Sequence, residues 1–293
     1  MPQPTDFAAL VRSEPGKAET QAEYLVEWKP LHVAASASVY AELKRWRPAS
    51  SPAGPLVAFG DPVIVPRRPA DADATGEEAI LDRTMERLRT RGFPLEPLPA
   101  SRREVQSIAR VYGEHATALL GAAATEEKAK SVEKDVRYLH FATHVVLDDR
   151  LPLDSAIVLS MPDPPGEGRD NGLLESWEVF ESLRLDADLV VLSGCESGLG
   201  QHLEGEGLLG LTQAFHYAGA RSILASLWPA ADEATADLMA RFYRHLKRGA
   251  SKDQALRGAQ IEMLSPGPAK AGARARVSAP YYWALFQLRG DWK

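Results

Sequence analysis

The chain has 293 residues with 34 Lys+Arg against 40 Asp+Glu, a formal charge of −6, and a single cysteine. One cysteine excludes an intrachain disulfide framework and any Cys-rich zinc module. The 45% hydrophobic, 25% charged composition is that of a globular protein and not of a disordered or fibrous chain, and the mild acidic excess lacks the electrostatic footprint of a general nucleic-acid binder. No apolar run approaches the roughly 18 residues of a membrane span, and the N-terminus has neither a basic start nor an apolar signal core, so a cytoplasmic protein is expected.

Residues 1–21 are polar and aperiodic and read as a flexible tail, followed by one α/β domain over 22–293. Tyr24–Trp28 predicts a strand ended by Pro30, Ser38–Trp46 a helix, and Pro55–Gly60 a buried strand closed by the turn Gly60-Asp61-Pro62, which together make a β-α-β start. A charged helix is expected over Glu77–Arg91 after the turn-rich stretch 66–74. Helices are expected over Arg102–Tyr112 and after Thr125, where Thr125-Glu126-Glu127 supplies a cap and early acidic charge. Strands follow at Arg137–Thr143 and Ala156–Ser160. The continuous apolar run Leu189–Leu192 suits a strand buried on both faces of a parallel sheet. A helix (Glu206–Tyr217), a strand (Ser222–Leu227), helices over Asp232–Arg248 and Lys252–Leu264, and a closing aromatic strand Tyr281–Leu288 complete the order.

Cys195 lies three residues past Leu192, in Ser193-Gly194-Cys195-Glu196-Ser197-Gly198, at the carboxyl end of the buried strand, where ligands collect in open α/β sheets. A free cysteine is more often inert packing. Here the flanking glycines allow a sharp turn, and His144, 51 residues upstream at the end of another strand, matches the spacing of a caspase-type dyad. A thiol needs such an imidazole to draw off its proton and later to protonate the leaving amine. His140 forms an H-x-x-x-H pair with His144, but the pair lacks the adjacent Glu of a zincin and sits in a β-like run, which makes His140 a core residue. Gly205-Glu206-Gly207-Leu208-Leu209-Gly210 is a literal G-x-G-x-x-G. It stands a dozen residues past the strand, too far for a dinucleotide fingerprint, and a loop with a helix start is its plainer meaning.

Leu139–His144, Val190–Gly198, Glu204–Gly210, Ala218–Ser222, Ala225–Trp228, Asp232–Thr235, Phe242–Arg244, Tyr282-Trp283 and Gly290–Trp292 resemble, in order, the motifs of the CHAT family of caspase-like cysteine peptidases. Leu56–Pro62 resembles its first half. The resemblance implies a three-layer α/β sandwich with a mostly parallel central sheet flanked by helices, its dyad half over about 117–293, and no metal or organic cofactor. It implies His144 and Cys195 as the catalytic pair, and the backbone N–H groups of Val145 and Cys195 as the oxyanion hole. Val145 stands where the family usually carries Gly, and a β-branched residue restricts the backbone. Ser193, Glu196, Trp228 and Asp232 are implied as substrate contacts. The Pro/Gly-rich stretch 161–172 is either a solvated loop or, by position, resembles the linker cut in some caspases. The implied function is cleavage of a specific protein in bacterial immunity or programmed cell death, with a separate sensor or activator as partner. The alternatives are a catalytically silent CHAT scaffold or docking module and, more distantly, a dinucleotide-binding enzyme.

Overall fold

The computed structural model describes residues 24–34, 36–45, 55–64, 98–161, 170–194, 206–228, 232–264 and 279–293. The predicted helix at 77–91 and the tail at 1–21 lie outside them.

The first predicted strand is instead a single helical turn, α1 (Leu25–Trp28). Its short apolar and aromatic run reads like a strand, but the Glu27 carboxylate reaches back to the Tyr24 amide at 2.6 Å and closes the turn. The guanidinium of Arg257 donates to the Val26 and Glu27 carbonyls, both at 2.6 Å. Helix α2 (Ala37–Arg45) and strand β1 (Leu56–Gly60) follow as expected, so the chain opens helix–helix–strand and not β-α-β.

Helix α3 (Pro99–Tyr112) starts with proline in its first turn, where no amide partner is lost, and leads into β2 (Ala116–Leu120), an edge strand. In α4 (Glu126–Lys130) the predicted cap is made, as Thr125 Oγ1 accepts from the Lys128 amide. Strand β3 (Tyr138–Ala142) precedes a small antiparallel sheet of β4 (Val145–Val146), β5 (Ala156–Val158) and β6 (Leu173–Glu175), and then α5 (Ser176–Ser182). Next come β7 (Leu189–Leu192), α6 (Glu206–Ala218), β8 (Ser222–Ser226), α7 (Asp232–Lys247) and α8 (Lys252–Leu264). The predicted closing strand splits into a turn, α9 (Pro280–Trp283), and β9 (Phe286–Gly290). Pro280 starts the turn, and Trp283 is buried edge-on against Tyr24 with ring centroids 5.0 Å apart.

The main sheet runs β2-β1-β3-β7-β8-β9, all parallel except β9. Successive residues of β3 and β7 face opposite layers. Leu139, Phe141, Val190 and Leu192 pack against Phe215 of α6 and the small sheet, while Tyr138, Leu189 and Val191 pack against α3, α7 and α8. The result is the expected three-layer sandwich.

Polar groups are built into this frame at two places. His140 is a core residue, as its sequence context indicates. Its Nε2 meets Glu104 Oε1 at 2.9 Å and its Nδ1 meets the Tyr243 hydroxyl at 3.1 Å, with all three residues buried between β3, α3 and α7. Among the described residues there is no cluster of His, Cys, Asp and Glu that could hold a metal ion.

At the amino ends of the parallel strands, Arg137 Nε bonds Asp188 at 2.9 Å. Arg221 and Lys44 pair with Asp291, and Lys252 Nζ donates to the Asp188 carbonyl at 3.0 Å. Burial pulls the Lys252 ammonium down to about 8 from 10.5, against the opposing pull of Asp188 and Asp291. Between those values the unfolded chain binds the proton more strongly than the folded one, so the penalty is present below pH 8 and vanishes as pH rises through 10.5. Relative to Lys252→Met, the native chain should therefore gain up to about 3 kcal/mol of urea-measured stability between pH 8 and 10.5. A gap between the two proteins that stays flat over this range would contradict it.

Candidate active site

The parallel register sets the geometry of the site. Phe141 of β3 stands opposite Leu192 of β7, and adjacent strands lie about 4.8 Å apart. His144 and Cys195 are each three residues beyond that pair, on the same edge of the sheet. The ladder continues past β7, as the Ser193 amide donates to the Phe141 carbonyl at 2.8 Å. Cys195 and Glu196 themselves fall outside the described residues.

Gly194 joins the two strand exits. Its φ is +151°, and a Cβ on it would stand 2.0 Å from the Thr143 carbonyl oxygen and 3.7 Å from the His144 amide nitrogen. Only glycine fits there. On its other side the Gly194 amide donates to Ser226 Oγ at 3.3 Å, and that hydroxyl donates to the Leu192 carbonyl at 3.4 Å. The backbone directly before Cys195 is thus held between the exit of β3 and the end of β8. Ser226 was not identified from the sequence; its signal is a hydroxyl among apolar residues at a strand end.

His144 is 1% exposed, an enclosed imidazole. Its backbone is held by the small sheet, where the Val158 amide donates to its carbonyl at 2.9 Å. Thr143 Oγ1 also donates to the Val158 carbonyl. Because His144 and Val158 form the hydrogen-bonded pair, the next pair, Val145 and Ile157, is a non-bonded one, and the Val145 N–H points away from β5 toward the open side of β4. Val145 is buried in extended backbone, where a β-branched residue is favoured.

The small sheet is locked from below by charge. Glu126 Oε2 accepts from the Asn171 and Gly172 amides at 2.7 and 2.8 Å, just before β6. Lys130 Nζ gathers Glu126 at 2.6 Å and Asp170 and Glu178 at 2.8 Å each. Burial pushes the Glu126 carboxyl up to about 7 in spite of the Lys130 hydrogen bond. Burial alone would lower the Lys130 ammonium, but the bonds to Asp170, Glu126 and Glu178 hold it above its ordinary value.

The G-x-G-x-x-G run has a packing role. The Gly207 amide donates to Asp149 Oδ1 at 2.8 Å, which caps α6 with the loop that follows His144. A Cβ on Gly207 would stand 2.9 Å from the Asp148 nitrogen, and one on Gly210 would stand 2.9 Å from the Pro152 carbonyl oxygen. These glycines let the helix that follows the cysteine loop lie directly on the loop that follows the histidine.

The other sequence-predicted residues that are described follow β7 and β8, which are neighbours in the sheet. Ser193 is buried, and its hydroxyl has no hydrogen-bond partner among the described residues. Trp228 is half-buried at the end of β8, its indole N–H donating to the Tyr281 carbonyl at 3.0 Å, so it anchors α9. Asp232 is the first residue of α7.

A six-stranded, mostly parallel sheet between two layers of helices is the architecture of a caspase-like α/β protein. A family model for the CHAT domain matches residues 4–291, and the chain belongs to that family. The mouse (Mus musculus) protein Tetratricopeptide repeat protein 28 is 28% identical over 230 residues, 67% of this chain and 9% of its own length. The human (Homo sapiens) protein of the same name is 28% identical over 223 residues, 67% of this chain and 8% of its own. The chain spans less than a tenth of these curated relatives.

Gly194→Ala should cost about 3 kcal/mol or more in urea unfolding, because the new methyl meets backbone. Gly113→Ala, at φ +63° with nothing within 4 Å, should cost only about 1 kcal/mol. Equal losses in the two variants would mean that strand-exit contact is not what Gly194 serves.

Proposed function

We propose that the chain is a cysteine endopeptidase of the caspase-like kind. The observation that supports this most is the register of β3 and β7 together with Gly194, which bring the backbones at His144 and next to Cys195 into contact. In this mechanism His144 takes the Cys195 proton, the thiolate attacks the scissile carbonyl, and His144 protonates the leaving amine. Water then hydrolyses the thioester. The N–H groups of Val145 and Cys195 stabilise the oxyanion; the ladder supports this in that the Val145 N–H is turned away from β5. Ser193, Glu196, Trp228 and Asp232 are the proposed contacts to a protein substrate. No organic cofactor is needed for these steps.

The family resemblance supports a cytoplasmic role in bacterial immunity or programmed cell death, under a separate sensor or activator protein. Among the described residues no helix is long and apolar enough to cross a membrane. A second reading, a non-catalytic docking module, is favoured by the enclosure of His144. Within the peptidase reading the same enclosure describes a closed site that an activator opens.

The lone cysteine permits a test that needs no substrate. Alkylation of Cys195 by iodoacetamide, followed by intact mass, should slow at least about tenfold at pH 7 in His144→Ala, as expected when an imidazole sustains the thiolate. Cleavage across a peptide panel should disappear in both His144→Ala and Cys195→Ala. An alkylation rate unchanged by His144→Ala, or cleavage that persists in both variants, sinks the peptidase assignment. Unchanged alkylation with intact partner binding would leave the docking module standing.

A further inference from the structure

Strand β9 is the outer strand of the main sheet, and this chain already covers part of its free edge. The Val33 amide donates to the Leu288 carbonyl at 2.8 Å, and the Gly290 amide donates to the Val33 carbonyl at 3.0 Å, a parallel bridge opposite Arg289. Those bonds fix which groups of β9 face outward, since N–H and C=O of one strand residue point the same way. The outward Leu288 N–H and both backbone groups of Phe286 have no hydrogen-bond partner among the described residues. Unpaired edge groups on a sheet this apolar are a template for another strand.

A cavity of about 380 Å³ lies beside that stretch. Leu227, Leu256, Trp283, Phe286, Tyr24 and Leu31 are among the residues that wall it. Leu25 and Leu31, at its rim, are 57% and 52% exposed. Backbone donors and acceptors along one side and apolar walls around them are the features that take up an extended peptide.

The sequence names the occupant. Tyr24, the first described residue, is itself a wall of the cavity. The 23 residues before it hold one apolar run, Phe7-Ala8-Ala9-Leu10-Val11. Residues 12–23 can span up to about 40 Å when extended, so the run can reach any part of the cavity. The CHAT match begins at residue 4, which puts the run inside the domain that the family shares. Residues 265–278, which join the chain just before Trp283, carry Lys270, Arg274 and Arg276 with Val277 as their one large apolar side chain, a poor match for apolar walls.

We propose that Phe7–Val11 adds to the open edge of β9 as an extended segment, its backbone pairing with Phe286 and Leu288 and Phe7 or Leu10 filling the cavity. The edge is then closed to a second copy by the protein's own segment ahead of Tyr24.

Hydrogen–deuterium exchange read at the Leu288 amide tests this in the full chain, in a Phe7→Ser/Leu10→Ser variant and in a chain lacking residues 2–14. Exchange at Leu288 should rise at least about tenfold in both altered chains while the β7 amides stay protected, showing that the fold persists. A synthetic peptide of residues 4–14 should restore protection to the truncated chain, and a scrambled one should not. Equal exchange in all three proteins overturns the proposal. So does protection in the full chain that disappears on dilution to monomer, because the edge would then be covered by a second copy. If truncation unfolds β7, the full-length double variant decides between these outcomes.

Discussion

Between Gly194 and the Thr143 carbonyl there is room for a hydrogen and nothing larger, and much of the architecture serves to keep those two backbones together. The ladder between β3 and β7 delivers them side by side, and the Phe141 carbonyl still accepts from Ser193 one step beyond the strand. Ser226 holds Gly194 from the β8 side. Underneath, Phe59 and Phe141 stack at 5.1 Å in a layer closed by Phe215 of α6, so the strand ends rise from close-packed core and cannot drift apart without opening a cavity.

The histidine and the cysteine are supported differently. The backbone before Cys195 grows out of the central sheet. His144 rests on a three-stranded sheet whose far strand begins at residues tied to Glu126, and Glu126 shares one ammonium with Asp170 and Glu178. A carboxyl that burial pushes above its ordinary value sits at the base of that support, held by the Lys130 ammonium and the Asn171 and Gly172 amides. The opposite edge of the main sheet carries the other ionic group, around Asp188 and Asp291.

The elements that were legible from sequence are those whose pattern and environment agree. Leu189–Leu192 is apolar throughout because both its faces are covered, and Thr125 caps α4 because a hydroxyl there has an orphan amide to accept from. Tyr24–Trp28 misled because an apolar, aromatic run of five residues cannot outweigh a Glu27 carboxylate closing a turn and Arg257 arriving from far along the chain. The aromatic run at Tyr281–Leu288 misled because Pro280 starts a turn that the side chains do not advertise. Strands β2, β4 and β6 gave no signal. The first is half exposed at the edge, and the other two are two and three residues long, held by tertiary contacts. The CHAT resemblance pointed to the sandwich, whereas Ser226 and Glu126 act through contacts that no short motif encodes.

The spacing of 51 between His144 and Cys195 has a structural origin. Every registered pair between β3 and β7, from Tyr138 with Leu189 to Phe141 with Leu192, is separated by the same 51 residues, because parallel strands in fixed register keep a constant offset. His144 and Cys195 share that offset, each three residues past the last registered pair, Phe141 with Leu192. The intervening residues 147–187 hold β5, β6 and α5, and could lengthen or shorten without moving either strand exit. The number therefore says nothing by itself; what makes it informative is the pair of all-apolar strand ends on which it is counted. The glycine run at 205–210 lacks such a frame. Its spacing matches a dinucleotide loop, but the contacts of Gly207 and Gly210 with Asp148 and Pro152 show that the same small residues were required for a helix to lie flat on a loop.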